Sequence, residues 1–271
     1  MIEPMVIMVA PNGARKSRSD HAGIPLTASE LADTAEACLE AGACALHLHV
    51  RDADGRHTLD PLTYREALDA IRGRVADKLL LQVTTEAVGL YSAHEQIEIV
   101  RALVPEAVSL SVRELAAAGE AAIGAFDRWM RERDVLPQWI LYSLEDLGLL
   151  NDWIERGVLA GASYPVLFVL GKYSPGLDAT PAMLEPFLDR IEGHAWMVCA
   201  FGSSEGAIMR IVADAGGHAR IGFENNLLDE QGMPAADNAT LVRPLVHYLQ
   251  TSARRPLATA SQARGILRPR W

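Results

Sequence analysis

The chain has 271 residues, is 49% hydrophobic, and carries 25 Lys and Arg against 35 Asp and Glu, for a net charge of −10. That apolar content suffices for the core of one large α/β domain, while the acidic balance and the lack of a long basic block exclude a nucleic-acid footprint. No run approaches membrane-spanning length, and the start, "MIEPMVIMVAPNG", lacks a positive n-region and a small-residue cleavage pattern, so a cytoplasmic protein is expected.

In chain order, β-type runs fall near 5–10, 43–50, 79–84, 107–110, 136–142, 163–170, 194–200 and 218–223. Helical periodicity lies between them, near 28–41, 61–75, 92–103, 118–133, 146–156, 180–190, 204–216 and 238–252. Thr27 or Ser29 is placed to cap the first helix, and Gly42 and Gly217 stand where helices should stop. Most of the strands are continuously apolar, as a parallel sheet covered on both faces requires. Eight βα units predict a (β/α)₈ barrel, with a doubly wound open sheet as the alternative. Nothing resembling a Pro/Gly/Ser-rich linker interrupts residues 1–271, so a single domain is expected, ending in a basic, partly helical tail over about 254–271 that packs on the barrel or on a neighbouring subunit. Cys38, Cys44 and Cys199 have neither CxxC spacing nor an even count, and are read as packing residues.

In such a barrel the functional side chains gather where strands end and βα loops begin. The polar residues of this chain fall at those points: Asn12 and Arg15; His47, His49 and Arg51; Thr84, Thr85 and Glu86; Ser111, Arg113 and Glu114; Glu145; Lys172; Ser203 and Ser204; Arg220, Glu224 and Asn225. In "ALHLHVRDADGRH" the two histidines at i and i+2 of a strand project to one face. Neutral imidazoles so placed can bind one Zn²⁺ and leave positions for a carboxylate and for substrate, and Glu224 is the natural third ligand because the barrel closes near that strand. They can equally be hydrogen-bonded rim residues without a metal. Asp52 could fix a histidine tautomer or cap the turn with Asp54 and Gly55. "FGSSEG" at 201–206 could offer backbone N–H groups to a phosphate or be an ordinary helix cap. "RKSR" at 15–18 reads either as a solvated basic loop or as a way for Arg15 to reach a carboxylate at the barrel mouth. The remaining histidines, His57 among them, have no partner spacing and are read as structural or exposed.

The segments "VAPNGAR…DHAGIPLTASELADTAEACLEAGACALHLHVRDADGRHTLDPLTYREAL" and "GGHARIGFENNL" give the chain a resemblance, over nearly its whole length, to the β-keto acid cleavage enzymes. The resemblance implies a zinc-dependent (β/α)₈ enzyme, a homotetramer or homodimer, that takes a β-keto acid and acetyl-CoA to acetoacetate and a new acyl-CoA. It implies His47, His49 and Glu224 as metal ligands, Arg220 as the family's arginine, and Thr84 as a hydroxyl that hydrogen-bonds substrate. Asn12, Arg15, Ser111, Arg113, Gly202 and Ser203 are the expected substrate-binding set. The chain departs from the family where Asn225 stands in place of an aspartate assigned as general base, since an amide does not accept a proton at neutral pH. Glu86 or Glu145 would then take that role. Arg15 stands where an amino-substrate member has an acidic side chain, which favours an anionic or neutral R-group. The departure at 225 keeps open a divalent-metal lyase or hydrolase without CoA, and a non-catalytic metabolite-binding relative is the third reading. A redox enzyme is disfavoured because no GxGxxG follows the first strand.

Overall fold

A computed structural model describes residues 3–171, 178–191, 193–252 and 255–271. Lys172 and Arg254, where the tail was expected to begin, lie outside the described residues. Eight parallel strands close into a barrel in the order β1 (Ile7–Val9), β10 (His218–Ile221), β9 (Trp196–Ala200), β8 (Val166–Leu170), β7 (Leu136–Leu141), β6 (Ala107–Ser111), β5 (Leu80–Thr84) and β2 (Ala45–Leu48). The fold is a TIM barrel, and the open-sheet alternative falls away. Every strand anticipated from the apolar runs is present, and the ring closes through Met8 paired with Ala45 on one side and with Arg220 on the other.

The outer layer comprises α1 (Ala28–Glu40), α2 (Pro61–Val75), α3 (Ala93–Leu103), α4 (Val112–Leu115), α5 (Glu120–Glu132), α6 (Leu144–Glu155), α7 (Glu185–Leu188), α8 (Glu205–Asp214) and α9 (Asn238–Ser252). Thr27 caps α1 reciprocally with Glu30, as the sequence suggested. Two differences have clear causes. The expected helix over 180–190 is only a 3₁₀ turn, Pro181–Met183, followed by the single turn α7; Pro186 removes a donor and crowds the preceding turn. The second strand does not run through residue 50. It stops at Leu48, and the chain continues as a two-stranded hairpin of β3 (Val50–Arg51) with β4 (His57–Thr58).

Alternation decides which side chains enter the lumen. Ile7, Val9, Leu46, Leu48, Leu81, Val83, Ala219 and Ile221 pack outward against the helices. Val6, Ala45, Leu80, Leu136, Leu167 and Met197 form a separate inner cluster, joined from below by Ala258, Ala263 and Leu267 of the C-terminal segment. That segment carries α10 (Ala260–Ile266) and bridges Met5 to Leu257 and Ser163 to Arg270, so the tail packs on the barrel and closes its N-terminal end. Each fully buried aliphatic or aromatic side chain contributes about 1.5–3 kcal/mol, and the floor of the lumen is built of little else. Among the described residues no helix is long and apolar enough to cross a membrane.

Candidate active site

Two residues further along the same inward faces, the lumen becomes polar. His47 follows Ala45 on β2, Gln82 follows Leu80 on β5, Gln138 follows Leu136 on β7, and Arg220 follows His218 on β10; all are buried. His47 and His49 point the same way, with ring centroids 5.0 Å apart. His49 stands one residue past the end of β2, where ladder partners are missing, and the Asn12 side chain supplies them. Its Nδ2 donates to the His49 carbonyl at 2.9 Å and its Oδ1 accepts from the His49 N–H at 3.4 Å.

Glu224 arrives from the end of β10, across β1 from β2. His47 Nε2 and His49 Nε2 are 3.1 Å apart, and Glu224 Oε2 lies 3.7 Å from the first and 3.6 Å from the second. Donors about 2.0–2.2 Å from one tetrahedral ion stand roughly 3.3–3.6 Å from each other. The three groups together are the one His/Cys/Asp/Glu cluster suited to a metal among the described residues. Glu224 Oε2 is buried without a hydrogen-bond partner, a costly state for a carboxylate oxygen unless a cation meets it. The chemistry of the neighbours agrees. Burial, and then the Arg220 charge, hold His47 well below the usual histidine range and hence neutral, as a ligand must be. Gln82 Oε1 accepts from His47 Nδ1 at 2.8 Å, which turns the Nε2 lone pair toward the cluster. Burial alone would push Glu224 up, but the Arg220 charge, with His49 beside it, outweighs that and holds the carboxyl well below the ordinary range. The residues fit a divalent metal.

The cluster opens into a cavity of about 530 Å³ lined by Arg15, Thr84, Glu86, Arg113, Tyr142 and Arg220 among others. Arg220 Nη2 lies 3.4 Å from both Glu224 Oε1 and Cys199 Sγ, which fixes its guanidinium beside the cluster. Glu86 Oε2 is 3.9 Å from His49 Nδ1, and Glu86 Oε1 is 3.8 Å from Arg15 Nε. Burial raises the Glu86 carboxyl above its usual range, and the nearby Glu224 charge adds to that against His49 and Arg15. Thr84 Oγ1 accepts from the Glu86 N–H at 3.0 Å and holds the loop in place. Ser111 also lines the cavity and caps α4. Arg113 lines it too, although Asp146 engages its Nε and, at 2.6 Å, its Nη2, and its guanidinium lies over the Tyr142 ring.

Several expected residues are placed elsewhere. Glu145 is exposed on the first turn of α6 and does not line the cavity, because the buried acid there is its neighbour Asp146. Asn225 is buried but turned away: its Nδ2 donates to the Arg220 carbonyl and to Glu205. Asn12 spends its amide on His49 and on the Pro25 carbonyl and is not among the residues that line the cavity. Gly202 is absent from the cavity lining, and Ser203 lines a different cavity of about 450 Å³ beside α8. Asp52 accepts from the Asp54 and Arg56 N–H groups and is a turn cap. His57 is structural, buried with its Nε2 on the Glu86 carbonyl; burial and His49 lower it to about 3.

Sequence reading passed over Gln82 and Gln138, which form an amide chain across the lumen from His47; Gln82 Nε2 donates to Gln138 Oε1 at 3.0 Å. Both sit at inward positions of apolar strands, and that misfit was the signal. It also passed over Lys16 and Glu205. Lys16 Nζ donates to the Phe223 and Glu224 carbonyls at 2.8 and 2.7 Å. Glu205, pushed up to about 8 by burial, accepts from the Gly222 N–H.

The profile of the beta-keto acid cleavage enzyme family matches residues 4–268. The chain is 30% identical over 274 residues to the 3-keto-5-aminohexanoate cleavage enzyme of Acetoanaerobium sticklandii, covering 98% of each. It is 28% identical to the 3-oxoadipate:acetyl-CoA acetyltransferase of Cupriavidus necator, covering 98% of this chain and 95% of that one. Among solved structures it resembles apo ObcA, with a TM-score of 0.66 at 15% identity, covering 92% of this chain and 66% of that one, a likeness of fold.

Proposed function

The chain belongs to the β-keto acid cleavage enzyme family, and from that premise we propose that it condenses a β-keto acid with acetyl-CoA to give acetoacetate and a new acyl-CoA. The observation that carries the reading is the convergence of His47 Nε2, His49 Nε2 and Glu224 Oε2 on a cavity that also holds Arg220 and Glu86. His47, His49 and Glu224 would hold Zn²⁺, which when bound supplies Lewis-acid polarisation of the substrate's carbonyl oxygen. Zinc as the metal, a homotetramer or homodimer, and a cytoplasmic location belong to the same proposal.

Glu86 takes the proton from C2 of the β-keto acid. Its carboxyl is poised for this, since burial moves it toward neutral pH, where a general base works best. The C2 electron pair attacks the thioester carbonyl of acetyl-CoA, and the CoA thiolate leaves. That thiolate then adds to the original β-carbonyl and the C2–C3 bond breaks, releasing the new acyl-CoA. The proton on Glu86 returns to C2 of acetoacetate. Arg220 offers its planar fork to the substrate carboxylate, and Thr84 keeps the Glu86 loop in register. At the outer wall, Arg15 favours an anionic or neutral R-group over a cationic one.

The test is acetoacetate release by zinc-loaded protein from a panel of anionic, neutral and cationic β-keto acids, with and without acetyl-CoA. Acetoacetate formed only with acetyl-CoA supports the proposal. Product without acetyl-CoA would favour a lyase or hydrolase on the same barrel, and no product from any acid would overturn the condensation.

A further inference from the structure

The turn Gly222–Asn226, which carries Glu224, has its backbone hydrogen bonds accounted for almost group by group. Gly222 has φ +135° and lies so close to the Ala10 carbonyl that a Cβ would come within 2.5 Å of it, so the turn is pressed against β1. Glu224 N–H donates to Ala10 O at 3.0 Å, and Phe223 N–H donates to Asn238 Oδ1 at 2.8 Å. Lys16 Nζ takes the Phe223 and Glu224 carbonyls, and Gly202 N–H takes that of Asn225. The remaining face of the turn meets a single buried carboxylate. Glu205 Oε1 accepts from Gly222 N–H at 3.2 Å and from Asn225 Nδ2 at 3.4 Å, and its Oε2 faces Asn226 Nδ2 at 3.5 Å.

A leucine would fill the first turn of α8 without the desolvation that a buried carboxylate incurs. Among the described residues, the hydrogen bonds of the Glu205 carboxyl group all go to the turn that bears the third metal ligand. Asn225 Nδ2 donates both to this carboxyl and to the Arg220 carbonyl, and an aspartate in its place would turn an acceptor toward that carbonyl. We propose that Glu205 and Asn225 are positioning residues that lock the Glu224 turn in its ligating arrangement, so that residue 225 acts through Glu224 and not on substrate. The inference rests on Glu224 being a metal ligand, as in the proposed function.

The experiment is the zinc affinity of the purified full chain, measured by chelator competition at alkaline pH, with thermal unfolding to verify folding. Glu205→Ala and Asn225→Asp are each expected to weaken zinc binding by about 10–100-fold, the range for lost outer partners of metal ligands. The double variant Glu205→Gln with Asn225→Asp exchanges donor for acceptor across the same contact and should recover part of the loss relative to Asn225→Asp alone, as coupling between touching residues predicts. Affinity in all three within about twofold of wild type, while His49→Ala loses zinc, overturns the lock and leaves the metal site standing, since outer partners that matter cost roughly 10–100-fold. Undiminished affinity in His49→Ala overturns the metal site and the lock with it. An Asn225→Asp protein that binds zinc normally and turns over faster would make residue 225 the base and sink the inference.

Discussion

The floor and the rim of the barrel lumen come from the same strands, two residues apart, and they do opposite things. At the floor, Ala45, Leu80, Leu136 and Leu167 meet apolar residues of the C-terminal segment. At the next inward positions, His47, Gln82 and Gln138 are buried just as deeply but hydrogen-bond across the lumen. Apolar burial stabilises without direction, whereas buried polar groups are tolerated only when each partner is in place. The floor therefore holds the barrel together and tolerates exchange of shape. The rim costs stability and fixes the direction of each functional atom.

The sharpest test of this division is His49→Ala. Activity should fall to background, and zinc affinity should drop by more than the roughly 10–100-fold that loss of an outer partner costs, while the melting temperature of the metal-free protein stays near that of wild type. A large fall in metal-free stability would mean that the rim also carries the fold. Glu86→Gln comes next. Turnover should drop by about 10²–10⁴-fold, the range for a lost general base, with zinc still bound. The sign of its pH dependence follows from its role: the base works deprotonated, so kcat/KM rises with pH through the Glu86 pKa, which burial raises in the metal-free protein. The limb should vanish in Glu86→Gln. If it persists, another group is the base.

Much of this division could be read before the fold was known. Continuous apolar runs ending in polar residues announced a parallel barrel with a functional rim, and the i, i+2 spacing placed both histidines on one face. Glu145 and Asn225 lie off the cavity lining for a common reason, since periodicity locates a residue on an element but not the direction its side chain takes at the element's end. At the start of α6, Asp146 turns inward to Arg113 while Glu145 faces solvent. Lys16 and Glu205 escaped notice because their partners, at positions 222–226, lie more than 16 residues away in sequence, and no local pattern encodes such pairings. Gln82 was legible in principle, as an amide at an inward position of an apolar strand, yet its use depends on the neighbouring strand's register, in which it pairs with His47.

The floor itself is tested by Leu167→Ala. The side chain is fully buried within the inner cluster, so the loss should be about 2–5 kcal/mol of unfolding free energy by denaturant titration. Zinc affinity and kcat/KM at moderate temperature should stay at wild-type values. A parallel loss of zinc affinity would show that the two layers are mechanically coupled and that the floor sets the geometry of the rim.

The smallest expected effect lies just outside the rim. Glu145 carries a carboxylate at the right place in sequence, but its side chain is exposed, and the Ser143 hydroxyl holds it below the usual range by hydrogen bonding. A base must approach the carbon it deprotonates, and an exposed carboxylate at a helix N-terminus is accounted for by the capping turn and the helix dipole. Glu145→Gln should therefore leave kcat/KM within about twofold of wild type, against the 10²–10⁴-fold expected of a general base. A loss beyond about tenfold in steady-state assays would mean that the first turn of α6 swings into the cavity when substrate binds. In that case Asp146 would have to release Arg113, and the rim would be an induced arrangement instead of a preformed one.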